Sequence, residues 1–180
     1  RSVLTANAAL IKDVLGLRLT GFQDKSDGFV RFTALDKTDE SQREGGRVRL
    51  LYTPTDDLTF TASYERADAD AIPTRVRNSY GPNITAAAAK LGLTLPVADP
   101  FGNIAASNVL GDFSSTTENS IFEAEWNVDS HYTIKLTSGY QRFSNRLSGE
   151  VETSPLDLFN VDPSENEDQS YSHELQWSYH

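Results

Sequence analysis

With 180 residues the chain is long enough for one ordinary domain, and 26 acidic against 16 basic residues give it a formal net charge of −10. That balance excludes a nucleic-acid-binding surface, which is basic, and the absence of cysteine excludes a disulfide framework and a thiolate metal site. No stretch approaches the ~18 apolar residues of a membrane-spanning helix, although membrane strands would escape that test.

Alternation of apolar and polar residues marks strands with two different faces. A poor strand from Ser2 to Ala8 is followed by a short connection at 10–13. A better strand then places Leu15, Leu17 and Leu19 opposite Gly16, Arg18 and Thr20. After a long connection, 24–45, Val48, Leu50 and Tyr52 alternate with Arg47, Arg49 and Thr53. Pro54-Thr55-Asp56-Asp57 is a turn by its chemistry, since proline presets φ and aspartate bonds back to backbone N–H groups. Beyond it, Leu58, Phe60, Ala62 and Tyr64 alternate with Thr59, Thr61, Ser63 and Glu65. This hairpin is expected to set Leu50 opposite Phe60 and Val48 opposite Ala62.

The second long connection, 67–117, contains one predicted helix. Asn83 caps it, 86–89 are alanines, Lys90 sits near its end and Gly92 follows at C′. Next, Phe122, Ala124, Trp126 and Val128 alternate with Glu123, Glu125 and Asn127. A short turn at 129–131 leads to Tyr132, Ile134, Leu136 and Tyr140, which alternate with Thr133, Lys135, Thr137 and Gln141. Glu125 is expected opposite Lys135, and Trp126 opposite Ile134. After a third long connection, 144–168, Tyr171, Leu175, Trp177 and Tyr179 alternate with Ser172, Glu174, Gln176 and Ser178.

About seven strands result, joined alternately by very short and very long connections. Long structureless loops are foreign to compact soluble domains. Outer-membrane barrels have short periplasmic turns and long extracellular loops. Aromatic residues gather near strand ends: Tyr52, Trp126, Tyr132, Trp177 and Tyr179 at the short-turn end, Tyr64 and Tyr140 at the other. Two such girdles are a barrel feature. The expected fold class is therefore all-β, an antiparallel transmembrane β-barrel segment with long extracellular loops. A soluble secreted β-sandwich, with the apolar faces as its core, is the competing architecture.

No nucleophile constellation is visible, so no catalytic residue is assigned and an enzyme is not expected. His131 falls in a turn, His173 has apolar parity and His180 ends the chain; none pairs with a serine at a testable spacing. Charged residues of polar parity are Arg18, Arg47, Arg49, Glu65, Glu123, Glu125, Lys135 and Glu174. Of these Arg18, Arg47, Arg49, Glu123, Glu125 and Lys135 are the substrate-binding candidates, weighed against cross-strand pairing such as Glu125 with Lys135. Carboxylates crowd the third loop (Glu150, Glu152, Asp157, Asp162, Glu165, Glu167, Asp168), and Asp68 and Asp70 open the second. Their spacing matches no EF-hand, so a solvated acidic surface is expected and no metal or cofactor is assigned.

Several segments resemble TonB-dependent receptors. Asp13-Val14-Leu15-Gly16-Leu17-Arg18-Leu19-Thr20-Gly21-Phe22 resembles an early barrel strand of that family, and Asp27-Gly28-Phe29 its "DGF/DGY" loop motif. Gly46-Arg47-Val48-Arg49-Leu50-Leu51-Tyr52-Thr53-Pro54-Thr55-Asp56-Asp57-Leu58 is the most specific match, to "GRxxLLxxPTDDL". Gln169-Ser170-Tyr171-Ser172-His173-Glu174-Leu175 is similar to "xSQELRL". The resemblance implies a 22-stranded barrel filled by a plug domain. It implies a location in the outer membrane of a Gram-negative bacterium, among lipid and lipopolysaccharide, and energy relayed by TonB, ExbB and ExbD. The implied function is active import of a scarce nutrient such as a ferric siderophore, haem, cobalamin or glycan; a passive porin or structural barrel is the alternative. Residues 1–180 are then expected to be an internal part of a single barrel domain. The plug domain, the TonB box and the remaining strands would lie outside this chain.

Overall fold

The computed structural model describes residues 1–73, 80–97, 101–150, 154–156 and 160–179. Seven long strands form one antiparallel sheet: β1 (Ser2–Ile11), β2 (Leu15–Ser26), β5 (Ser41–Thr55), β6 (Leu58–Ala71), β8 (Asp112–Asn127), β9 (Tyr132–Glu150) and β10 (Asn160–Tyr179). Their order in the sheet is their order in the chain, so every long strand pairs with the next. Three short strands, β3 (Arg31–Phe32), β4 (Lys37–Thr38) and β7 (Ile104–Ala105), form a second sheet within the long connections.

The strands run further than alternation of apolar residues suggests. The three long connections shrink to 27–40, 72–111 and 151–159 because the strand ends pair on through polar sequence, as Gln42 does with Asp70 and Arg146 with Glu165. The first two are also not structureless. β3 pairs antiparallel with β4 and parallel with β7, the one departure from antiparallel pairing among the described strands. Val30, Phe32 and Ala105 are buried between them, with Leu35, Ile72 and Leu110 packed alongside. Asp39 fixes the entry to this small core: its Oδ1 accepts the N–H groups of Phe29 at 2.6 Å and Val30 at 2.7 Å.

The predicted helix exists as α1 (Pro82–Lys90), but its N-cap is Gly81, not Asn83. Proline at N1 has the helical φ already and lacks an N–H the first turn could not satisfy, so it moves the start ahead of the asparagine. Gly92 does occupy C′, with φ +68, where a side chain would be strained.

The turn at 129–131 gives the expected register: Glu125 faces Lys135 and Trp126 faces Ile134. Asp129 Oδ1 accepts the N–H groups of His131 (2.7 Å) and Tyr132 (3.0 Å), which closes the turn. The hairpin at Pro54 departs from expectation by two residues. Leu50 faces Ala62 and Val48 faces Tyr64, while Phe60 faces Tyr52. The strands continue to Thr55 and Leu58, leaving a two-residue turn, and an irregularity between Tyr52 and Thr55 absorbs the difference. Pro54 has no N–H to give a ladder and sits in that bulge. A shift of two leaves every side chain on its expected face.

Consistent register produces continuous rows across the sheet. Tyr52, Phe60, Ala124, Leu136 and Leu175 form one row; Leu17, Leu50, Ala62, Phe122, Ser138 and His173 form the next. Both lie on the apolar face. Rings meet along and between these rows, Tyr52 with Phe60 at 6.0 Å and Phe60 with Phe122 at 6.2 Å, and nearer the short turn Tyr132 meets Tyr179 at 5.2 Å. No second layer covers this face among the described residues: Leu50 keeps 39% of its surface, Leu175 73% and Trp177 76%. Among the described residues, the buried apolar side chains that cluster are those of the small loop sheet.

Candidate functional site

Because β-strand side chains alternate, the same ladders that align the apolar rows gather the polar residues on the opposite face. Arg18 on β2 faces Arg49 on β5, and Arg47 on β5 faces Glu65 on β6. Glu123 and Glu125 on β8 face Thr137 and Lys135 on β9, which face Glu174 and Gln176 on β10. All six candidate binding residues therefore share one face, but in two groups. Arg18, Arg47 and Arg49 lie on β2 and β5; Glu123, Glu125 and Lys135 lie on β8 and β9, across β6.

Pairing satisfies part of each group. Arg47 Nε donates to Glu65 Oε2 at 2.6 Å. Lys135 forms its ion pair with Glu123 at 3.1 Å, not with Glu125 directly opposite. The diagonal neighbour is within reach of a long side chain, so the expected Glu125–Lys135 bond gives way to a Glu123–Lys135 one. Arg18 Nε donates to Asn7 Oδ1 at 2.6 Å. Among the described residues neither Arg18 nor Arg49 has a carboxylate within ion-pair distance.

A second polar constellation escaped sequence reasoning. It lies on the apolar face, beyond the row formed by Leu19, Val48, Tyr64, Ser120, Tyr140 and Tyr171. The next row holds Arg66, Glu118, Arg142 and Gln169, and the one after it Asp68, Thr116, Ser144 and Glu167. Arg66 holds Asp68 through two nitrogens at 3.1 Å each. Arg142 holds Glu167 the same way at 3.0 and 2.9 Å. Glu118 lies between the two arginines at 3.8 Å from each and accepts Tyr64 Oη at 2.8 Å. The Arg66 guanidinium, then the Thr116 hydroxyl at 2.6 Å, hold the Asp68 carboxyl below its ordinary range. Arg142, then Gln169, do the same for Glu167. Arg66, Glu118 and Arg142 sit two residues from Tyr64, Ser120 and Tyr140 in turn, the last row of apolar parity. The legible signal was the change of character at constant parity, which marks the end of the apolar rows.

The acidic residues assigned to loops are mostly strand residues. Asp68 and Asp70 belong to β6, and Asp162, Glu165, Glu167 and Asp168 to β10. Glu152, Asp157 and the side chain of Glu150 lie outside the described residues. No group of three or more potential ligands is placed to hold a metal among the described residues.

His131 lies in the turn and His173 on the apolar face, as expected, but each lies beside a serine. His131 Nδ1 lies 3.0 Å from Ser130 Oγ, and the ring stacks on Tyr179 at 6.0 Å. His173 faces Ser138 across β9 and β10, with Nδ1 3.1 Å from Oγ. The sequence shows no such pair because the two residues meet only through the register of the last hairpin. An activated serine also needs a third group to orient the imidazole and donors for an oxyanion. The flanking residues of the row, Phe122 and Ala62, supply neither. The two side chains satisfy one another in an otherwise apolar row. His180 lies outside the described residues.

Compared with protein-family models, curated proteins and solved structures, the chain gives no match.

Proposed function

We propose that the chain is part of the wall of an outer-membrane β-barrel in a Gram-negative bacterium, its apolar face against lipid and its polar face lining the lumen. The observation that carries this reading is the span of the apolar rows. On β9 Tyr132 and Tyr140 bound the apolar stretch, and on β10 Tyr179 and Tyr171 do. Each interval matches the about 9–11 residues that a tilted strand needs to cross a bilayer. Beyond Tyr140 and Tyr171 the same face turns at once to the Arg66–Glu118–Arg142–Glu167 ladder, as an interface with water and headgroups would require.

The connections support the same orientation. Three short turns, near 12–14, 56–57 and 128–131, lie at one end of the sheet, and the three long connections lie at the other. In lipid an open sheet edge costs several kcal/mol per unsatisfied backbone group. Further strands of the same barrel are therefore expected against the outer edges of β1 and β10. A soluble sandwich would need a second sheet over the apolar face, and the described residues supply none.

For the whole protein we propose a receptor of the TonB-dependent kind, with a plug domain in the lumen, that binds a scarce nutrient and imports it actively. The "GRxxLLxxPTDDL" resemblance at Gly46–Leu58 supports this step, and the role is binding and transport, not catalysis. A passive porin is the second reading, since a wall of this design serves both. The intact protein should remain in the outer membrane until detergent is added and should migrate differently on a gel before and after heating. Release without detergent would overturn the barrel. Uptake of its cargo should stop when TonB is deleted; uptake that persists would leave the barrel standing and turn the receptor into a porin.

A further inference from the structure

We propose that Arg18 and Arg49 form a receptor for an oxyanion, a phosphate or carboxylate group, on the polar face of the sheet. The two are direct cross-strand partners on β2 and β5. Both line a cavity of about 380 Å³ whose other walls include Asn7, Ala9, Gly16 and Leu51. Like charges placed directly opposite on a sheet destabilise it unless something lies between them.

Elsewhere on the sheet that need is met from within. Arg47 takes Glu65, Arg66 takes Asp68, Arg142 takes Glu167 and Arg146 takes Glu165. Arg43 lies over the ring of Phe22 at 5.6 Å. Arg18 and Arg49 face each other without a carboxylate among the described residues, in a chain with ten more acidic than basic residues.

The local geometry suits an anion. Asn7 Oδ1 binds Arg18 Nε at 2.6 Å, which fixes the guanidinium and leaves its terminal nitrogens to a ligand. Gly16 beside it leaves open space, for a Cβ there would meet nothing within 4 Å. Guanidinium forks bind carboxylate and phosphate through paired N–H bonds, and both arginines line the one cavity. The group has two possible carriers: a free solute reaching the polar face, or a protein segment lying on that face with a carboxylate of its own. The inference rests on the polar face alone and holds whether or not the sheet closes into a barrel.

The test compares thermal unfolding midpoints of the intact protein with and without inorganic phosphate, for the wild type, R18Q/R49Q and R49K. A free-solute site predicts that phosphate raises the wild-type midpoint and leaves R18Q/R49Q unmoved. A protein carboxylate predicts that R18Q/R49Q melts below wild type in phosphate-free buffer and that phosphate adds nothing. R49K keeps the charge and loses the fork, so it should retain only part of either effect. A double variant melting at or above the wild type, with no phosphate effect on either, would overturn the proposal, because only repulsion would then have been removed. Should the double variant not fold, phenylglyoxal decides on the wild type. Slower modification of Arg49, whose guanidinium Asn7 does not hold, than in the denatured protein, in phosphate or without it, supports the site; equal rates in both conditions reject it.

Discussion

Leu136 stands midway between Tyr132 and Tyr140 on β9, and its cross-strand partner Leu175 stands midway between Tyr171 and Tyr179 on β10. If those tyrosines mark the two surfaces of a bilayer, Leu136→Arg places a guanidinium at its midplane. The cost there is ~2–4 kcal/mol, which lowers the folded-to-unfolded ratio about 30- to 900-fold. Thr137→Arg is the internal control. It adds the same side chain one residue away on the polar face, where its cross-strand neighbours are Glu123 and Glu174. A substitution at such a site changes stability by about 0.5 kcal/mol or less. The measurement is reversible urea unfolding of the intact protein in phospholipid vesicles, followed by tryptophan fluorescence. In water the two variants should converge, because Leu136 already keeps 37% of its surface exposed. Equal small losses for both variants in vesicles would refute the assignment of the apolar face to lipid.

Phe32→Ala removes a buried ring from the small sheet of β3, β4 and β7. The expected loss is ~3–5 kcal/mol, confined to the loops; hydrogen exchange should quicken around Val30 and Ala105 while β8 and β9 stay protected. Asp68 and Glu167 have carboxyls held below their ordinary range, by Arg66 and Arg142 first of all. Their stabilising contribution is thus present above the unfolded-state carboxylate pKa of about 4 and is lost as pH falls through the lower folded values. Amide protection in the outer parts of β6 and β10, taken relative to the intrinsic exchange rate at each pH, should fall on acidification below that point; R142Q should abolish the pH response near Glu167, and an unchanged response would reject the ladder as its source. Protease added to intact cells should cut within 72–111 and spare 128–131, and the reverse pattern would invert the orientation.

Parity was the most legible property of the sequence. Apart from Val128, which falls in the turn after β8, the residues expected on the apolar face of the seven-stranded sheet are there, and the charged candidates are on the polar face, because a two-residue error in register leaves a side chain's direction unchanged. Pro54 shows what alternation does not convey: the bulge that absorbs it sets which residues touch, so Leu50 meets Ala62 and not Phe60. Lys135 shows the next limit, since the right cross-strand partner was Glu125 and the bond went to Glu123. The Ser138–His173, Arg66–Glu118 and Arg142–Glu167 contacts were out of reach for another reason. They depend on strand pairs closed by long connections whose length does not fix the pairing. The loop sheet was hidden because two-residue strands carry no period to detect.

The row through Tyr64, Tyr140 and Tyr171 divides each strand into a lower part and a projecting part, and the projecting parts are unequal. On β2 the projection covers 20–26, on β9 141–150 and on β10 160–170. At about 3.4 Å per residue these are roughly 24, 34 and 37 Å measured along the strand. The wall therefore rises like a sloping parapet, low at β2 and high at β10. The β3–β4–β7 sheet is built from the connections that follow β2 and β6, on the lower side, while the higher side is carried by the ladder bonds between β9 and β10. Shortening β9 and β10 together by one register pair would lower that side of the wall without touching a single residue below the tyrosines.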